Sequence, residues 1–415
     1  MSTPTTFSPT WCGELELAAH PDLPERVVAA DGTPFAQARV LVRLHGDPVG
    51  FVTVATPGGA LDAAEVLDAV ERELDPLPAP SGIPAAAGGV EVSVSVIVCT
   101  RDRGAALRSC LDSLRLLPEA VVEVIVVDNA PSDDTTQRVV AEASAADPRL
   151  RYLREPRPGL SRARNRGLSE ARGDVVAYTD DDVRVDAGWV DGLLRGFARR
   201  EDVACVTGLV ASASLAHPAE QWFDARVWWS STCEPRLFDA RSTAGRSPLH
   251  PYAAGAFGTG ANVAFRTDVL RRLGGFDERL GAGAPTGGGE DLDAFVRVLR
   301  SGHALSYEPA ALVWHEHRSD DDALCRQMRA YGKGLSAYLT KYLLSPRTAF
   351  DVARRVPHGL RHAVRLKRRS DEAGRRSGAS RGLLVAEIRG LLEGPLAYWR
   401  ARRGLSRDHL RAVRP

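Results

Sequence analysis

The sequence predicts an α/β protein built on a doubly wound, mostly parallel sheet. From residue 92 onward, short β-branched runs such as VSVSVIVC and VVEVIVV alternate with amphipathic segments, as expected of strands buried on both faces and joined by crossover helices. Acidic and polar residues gather just after these runs, the end of an open α/β sheet where ligands bind. The length agrees, because 415 residues exceed one ordinary domain and leave room for smaller units beside the sheet.

Residues 1–75 read as a small N-terminal α+β module. Two β-runs at 39–44 and 49–54 surround His45-Gly46-Asp47-Pro48, a hairpin signal, and a helix follows with Leu61, Ala64, Leu67, Val70 and Leu74 on one face. The Pro-, Gly- and Ala-rich stretch 76–91 reads as a linker. The main domain is expected over 92–320. Its first strand runs into Cys99-Thr100-Arg101, a helix passes through Leu107, Leu111 and Leu114, and a second strand ends in Asp128-Asn129. A helix at 133–146, a strand at 151–153, a helix from Ser161 and a strand at 175–179 follow. Residues 208–256 form an insertion whose Trp222, Trp228 and Trp229 are expected in the core. A helical extension at 321–345 precedes a basic helical tail at 346–415, with a mobile stretch at 365–381 and an apolar-faced helix at 383–399 interrupted at Gly394-Pro395.

Composition removes several classes. With 44% hydrophobic and 26% charged residues, the chain is far from the disordered regime. Basic and acidic residues nearly cancel, 54 against 53, which argues against a nucleic-acid partner. The cancellation hides a gradient: residues 354–415 carry 17 Lys or Arg and 5 Asp or Glu, leaving 37 against 48 in residues 1–353. Six scattered cysteines suit reduced thiols. No apolar run reaches membrane-span length, so a cytoplasmic chain is expected, peripheral on the inner face of the plasma membrane through its basic tail.

The densest chemistry is Asp180-Asp181-Asp182. Three adjacent carboxylates repel one another unless something positive sits among them, and hard divalent cations prefer oxygen ligands; the bland alternative is an exposed acidic turn. Thr100, Arg101 and Asp128 end buried strands and could contact a base or phosphate, or serve as turn and cap residues. GLSRARNRG at 159–167 puts arginines at a helix start, a setting that attracts phosphate. Gly287-Gly288-Gly289 runs into Glu290-Asp291 ahead of an apolar-periodic helix, suited to a closing loop with a carboxylate base or to a helix start charged for its dipole. His315 and His317 follow an apolar run and offer an imidazole to a metal. No G-x-G-x-x-G follows the first strand, which removes a nicotinamide-dependent dehydrogenase.

In order and spacing, VSVIVCTRDR, VIVVDNAPSDD, GLSRARNRG, YTDDD, FGTGANVAFR, LGGFDE, GGGEDLDAFVRVLRSG and VWHEH resemble glycosyltransferase family 2, nucleotide-sugar-dependent inverting enzymes of GT-A fold. The resemblance covers roughly residues 92–318. It implies that Thr100, Arg101 and Asp128 hold the donor nucleoside and that Arg164 lies near the donor phosphates. Asp180-Asp181-Asp182 then supplies the D-x-D, with Asp180 toward the ribose and Asp182 on Mn2+ or Mg2+. Asp291, beside Glu290, is the implied base, and His315 a further metal ligand with His317 as its rival. The implied partners are a nucleoside-diphosphate sugar and a hydroxyl acceptor, free or lipid-linked. Two other classes stand beside this one. A non-catalytic nucleotide-sugar or glycan-binding scaffold has no need of Asp291, and a sugar nucleotidyltransferase wants more than the single glycine of CTRDRG after its first strand.

Overall fold

The computed structural model describes residues 7–77, 92–240, 249–355 and 381–412. The expected linker from residue 78 and the stretch at 365–380 expected to be mobile lie outside the described residues.

The N-terminal sheet has three strands, β1 (Thr10–Glu16), β2 (Gln37–Leu44) and β3 (Asp47–Ala55), with helix α1 (Ala63–Leu74). The hairpin forms where expected. Leu44 pairs with Asp47, and the two turn residues His45 and Gly46 have φ of 53° and 84°, the left-handed pair that matches the twist of the flanking strands. Two features differ from the sequence reading. β1, not anticipated, pairs parallel to β2; its apolar content is thin, with Leu15 its one buried hydrophobic side chain. In α1 the inward face is Val66, Ala69 and Val70, while Leu67 is exposed, because the helix starts where Asp62 accepts from the Ala64 amide at 2.8 Å.

The main domain is an α/β layer structure on a nine-stranded sheet. Its elements are β4 (Val94–Thr100), α2 (Gly104–Leu114), β5 (Val121–Asn129), α3 (Thr135–Ser144), β6 (Leu150–Glu155), α4 (Leu160–Glu170), β7 (Val175–Asp180), β8 (Val183–Val185), α5 (Trp189–Ala198), β9 (Val203–Ser212), α6 (Pro218–Asp224), β10 (Arg236–Phe238), β11 (Asn262–Arg266), α7 (Thr267–Arg272), α8 (Glu290–Arg300) and β12 (Ala304–His315). The order is β10-β12-β9-β11-β7-β4-β5-β6, with β8 on β12. β4 to β7, β9 and β12 run one way, while β8, β10 and β11 run against them. β11 therefore interrupts the parallel array between β7 and β9. The apolar run at 310–313 belongs to a longer strand, β12, which continues through Glu308 because Arg199 neutralises that carboxylate at 2.5 Å.

The N-terminal module docks on this domain. Leu41 packs among Leu209, Ala211, Leu312 and Trp314, Arg43 pairs with Asp186 at 2.7 Å and Arg195 with Asp47 at 2.5 Å, and Arg39 pairs with Asp224. After β12 come α9 (Asp321–Leu343), α10, described over residues 349–355, and α11 (Arg381–Ala412).

α11 corrects one expectation: it runs through Pro395 without a break. It also packs along α9. The approach is so close that a Cβ on Gly332 would come within 2.3 Å of the Glu387 carbonyl oxygen, and one on Gly390 within 2.1 Å of that of Arg329. Close packing of this kind holds a helix together across the one hydrogen bond a proline removes.

Candidate active site

The strand ends carry the site. β7 delivers Asp180, Asp181 and Asp182 to the carboxyl edge of the sheet, and β12 brings His315 beside them, pairing His315 with Val183 and with Ser212. One ligand atom each from Asp180, Asp182 and His315 lie within 4.8 Å of one another. His315 Nε2 is 3.3 Å from Asp182 Oδ1. Two carboxylate oxygens and an imidazole nitrogen make a donor set that fits Mn2+ or Mg2+. His317, the rival ligand, sits behind His315, Nδ1 to Nδ1 at 3.0 Å.

Electrostatics separates the three carboxyls. Burial raises Asp180, with Asp182 adding to the rise and Arg164 opposing it. Burial also pushes Asp181 up, to about 6, against the Thr100 hydroxyl and Arg103. For Asp182 burial acts the same way, but His315 and Arg103 overcome it and hold this carboxyl well below the usual carboxylate range. Arg103 is a site residue the sequence reading passed over. Its guanidinium bridges Asp181 Oδ1 at 2.6 Å and Asp182 Oδ2 at 2.8 Å. The only signal was a second arginine two positions past Arg101.

Thr100 donates its hydroxyl to Asp181 Oδ2 at 2.6 Å, so it braces the acidic cluster. Arg101 has its side chain about half exposed and lines the cleft. Asp128 is fully buried; the Tyr152 hydroxyl donates to Oδ2 at 2.9 Å, while Oδ1 has no hydrogen-bond partner among the described residues. Arg164, expected near the donor phosphates, lies 3.7 Å from Asp180. Its side chain is 3% exposed, donates to the Gly260 carbonyl at 3.0 Å and pairs with Glu290 at 3.2 Å, so it is spent inside the protein as a strut between the two carboxylate motifs.

α8 opens with Glu290 and Asp291 because Gly289 before it adopts φ +91°, and a Cβ there would come within 2.6 Å of the Gly334 carbonyl oxygen of α9. Asp291 accepts from the amides of Gly260 at 2.9 Å and Leu292 at 2.8 Å. Burial and the neighbouring Asp291 push Glu290 up to about 7, with Arg164 opposing.

The cleft at these strand ends has a volume of about 320 Å³ and is lined by Asp180, Asp181, Asp182 and His315 together with Arg101, Arg103, Arg318, Trp229, Gln327 and Tyr331. Gln327 and Tyr331 come from α9, which sequence reading did not connect to the site. Trp222 is buried as expected, whereas Trp229 both packs and lines the cleft. Cys99 also lines it, but burial pushes its thiol up to about 12, so it offers no thiolate nucleophile at neutral pH.

Comparison with known proteins shows what this chain is similar to. Residues 95–273 match the family model described as Glycosyl transferase family 2. The pre-mycofactocin glycosyltransferase of Mycobacterium tuberculosis is 29% identical over 228 residues, 54% of this chain and 43% of that one. The glucosyl-dolichyl phosphate glucuronosyltransferase of Haloferax volcanii is 26% identical over 268 residues, 63% of this chain and 80% of that one. A mannosyltransferase of Pyrobaculum calidifontis, solved with GDP-Man and Mn2+, superposes with a TM-score of 0.46 at 18% identity, covering 81% of this chain and 84% of that one. This chain thus spans less than half the length of the mycobacterial relative. Its residues 95–273 are similar to glycosyltransferase family 2.

Proposed function

We propose that this chain is a metal-dependent inverting glycosyltransferase, moving a sugar from a nucleoside-diphosphate donor to an acceptor hydroxyl. The observation that carries the reading is the meeting of Asp180, Asp182 and His315 at the strand ends of a family 2 domain, in one cleft with Arg101 and Arg318. A divalent ion held by these three residues would supply Lewis-acid stabilisation of the charge growing on the leaving diphosphate. Arg101 and Arg318 line the cleft beside Arg103, which is engaged by Asp181 and Asp182, and take the role of phosphate contacts. Asp128, at the end of β5, takes the role of acceptor for a base N–H. Asp291 takes the proton of the acceptor hydroxyl as that oxygen attacks the anomeric carbon, and a single displacement inverts the centre. A scaffold that only binds sugars has no use for a carboxylate in that role.

Thermal unfolding with nucleoside diphosphates of each base, with and without manganese, tests this reading. A ligand at a hundredfold excess over its dissociation constant adds about 2.7 kcal/mol to the native state. One base should stabilise the wild type in a manganese-dependent way, and Asp182→Ala should lose the manganese dependence. A panel with no response, or a manganese effect that survives in Asp182→Ala, rejects the assignment.

For the acceptor, we favour a lipid-linked hydroxyl at an anionic membrane surface. No helix among the described residues is long and apolar enough to cross a membrane. However, Val385, Ile388, Leu392, Leu396 and Trp399 form an exposed stripe along the outer face of α11, and Leu392 is 77% exposed. Exposed Arg389, Arg400, Arg402 and Arg403 flank it. An apolar stripe rimmed by arginine suits the headgroup boundary of anionic lipid, and the name of the Haloferax relative specifies a dolichyl phosphate acceptor. Because α11 also packs on α9, point changes test this better than truncation. Ile388→Ser, Leu392→Ser and Trp399→Ser together should cut co-sedimentation with anionic phospholipid vesicles more than about tenfold; equal pelleting rejects the surface.

A further inference from the structure

His315 is aimed by a chain of hydrogen bonds that starts in the N-terminal module. Arg39, on β2, donates to Asp224 Oδ2 at the end of α6. Ser212, at the end of β9, donates its hydroxyl to Asp224 Oδ1 at 2.5 Å. His317 Nε2 lies 2.8 Å from Ser212 Oγ, and His317 Nδ1 lies 3.0 Å from His315 Nδ1. Arg39 is further fixed by stacking over Phe51, 4.4 Å from the ring centre, and His317 packs against Phe223 with centroids 4.9 Å apart. The side chains of Arg39, Asp224 and His315 are 13%, 11% and 15% exposed, and Ser212 is buried.

The inventory of donors and acceptors gives this chain one direction. A guanidinium only donates and a carboxylate only accepts, so the proton of the Ser212 hydroxyl is committed to Asp224. The serine oxygen must then accept, which places a proton on His317 Nε2. A neutral His317 is left with a bare Nδ1, which accepts from His315 Nδ1–H. When His315 is neutral it turns an unprotonated Nε2 toward Asp182 Oδ1, whereas the protonated ring donates there and holds that carboxyl down. Two lone pairs facing each other at 3.3 Å repel, and a cation between them removes the repulsion.

We infer that Arg39, Asp224, Ser212 and His317 are positioning residues for metal binding, setting the tautomer and aim of His315, and that the N-terminal module is thereby a working part of the active site. The inference rests on the proposed metal site but adds residues from β2, β9 and α6 that the family match does not assign. Such outer partners of a metal-binding histidine are typically worth 10- to 100-fold in metal affinity.

Two measurements on the full chain test it. Selective 15N-histidine spectra of the metal-free wild type, at about pH 8.5 and so well above the ordinary imidazole value, should show His317 protonated on Nε2 and bare on Nδ1. The opposite tautomer reverses the chain and overturns the inference, whether or not metal binds. Manganese titration followed by electron paramagnetic resonance should then give about 10- to 100-fold weaker binding for Ser212→Ala, recovery in Ser212→Thr, and a smaller loss for Arg39→Met. Wild-type affinity in Ser212→Ala rejects the positioning role and leaves the metal site standing. No manganese binding by the wild type rejects both.

Discussion

Replacing Asp291 with asparagine should leave donor binding intact and lower sugar transfer by about a hundred- to ten-thousandfold, the usual worth of a positioned general base. The geometry favours a clean result. Asp291 accepts from the Gly260 and Leu292 amides, and an asparagine can keep one of these bonds while losing the negative charge that takes a proton. It lies at the first turn of α8, with the Arg164 strut anchoring Glu290 next to it, so a conservative change should not move the helix. Calorimetric titration with the nucleotide selected by the thermal panel, set beside steady-state transfer rates, separates binding from chemistry. Turnover close to wild type would remove Asp291 as the base and direct attention to Glu290.

The largest stability effect should come from Lys341. Its ammonium lies 2.8 Å from Asp277 Oδ2 and 2.6 Å from Asp293 Oδ1, joining α9 to the loop before α8 and to α8 itself. Asp293 has no exposed side-chain surface and Asp277 almost none. Lys341→Met would leave both carboxylates short of a partner, with Arg279 and Arg297 as the remaining cations, at a cost of about 3 kcal/mol. Urea unfolding at neutral pH measures it, and an unchanged midpoint would show that the arginines suffice. Acid adds a sign to the test. Burial raises Asp277, but Arg279 and Lys341 outweigh it and hold the carboxyl well below its ordinary value. A group depressed in the folded state contributes stability above its unfolded pKa and loses it as pH falls through the folded one. The wild type should therefore resist acid to a lower pH than Lys341→Met, whose unfolding limb moves up toward the ordinary carboxylate range near about pH 4.

Legibility in the sequence followed the range of the interactions. β4, β5 and β7 could be read because burial on both faces leaves an unbroken β-branched run, and their acidic or polar ends marked Asp128, Asp180 and Asp182. His315 was visible as a histidine after an apolar run. β11 is not legible as an antiparallel intruder, since five residues, Asn262–Arg266, do not encode their neighbours' direction. β12 reads short because Glu308 breaks the apolar pattern, and only its pairing with Arg199 makes burial tolerable. The outer residues of the site were beyond local pattern altogether. Arg39 and Asp224 stand 185 positions apart, and neither has a neighbour in sequence that marks it. The packing of α11 on α9 is not legible either, because the glycines that let the two helices approach, such as Gly394, look in sequence like interruptions.

The contact between α9 and α11 also has a consequence in time. Ala412, at the end of α11, is translated 69 positions after Leu343, at the end of α9, a delay of about 3 to 14 seconds at ordinary rates of synthesis. Throughout it α9 leaves the ribosome with Gly332 uncovered, although this helix also supports the start of α8 through Gly334 and neutralises Asp277 and Asp293 through Lys341. The helix bearing Glu290 and Asp291 therefore gains its full backing only when a segment made many seconds later arrives. A nascent chain halted between the two helices would hold a nearly finished sheet and an unsupported α8, which makes that interval the one in which a chaperone or a protease has most to act upon.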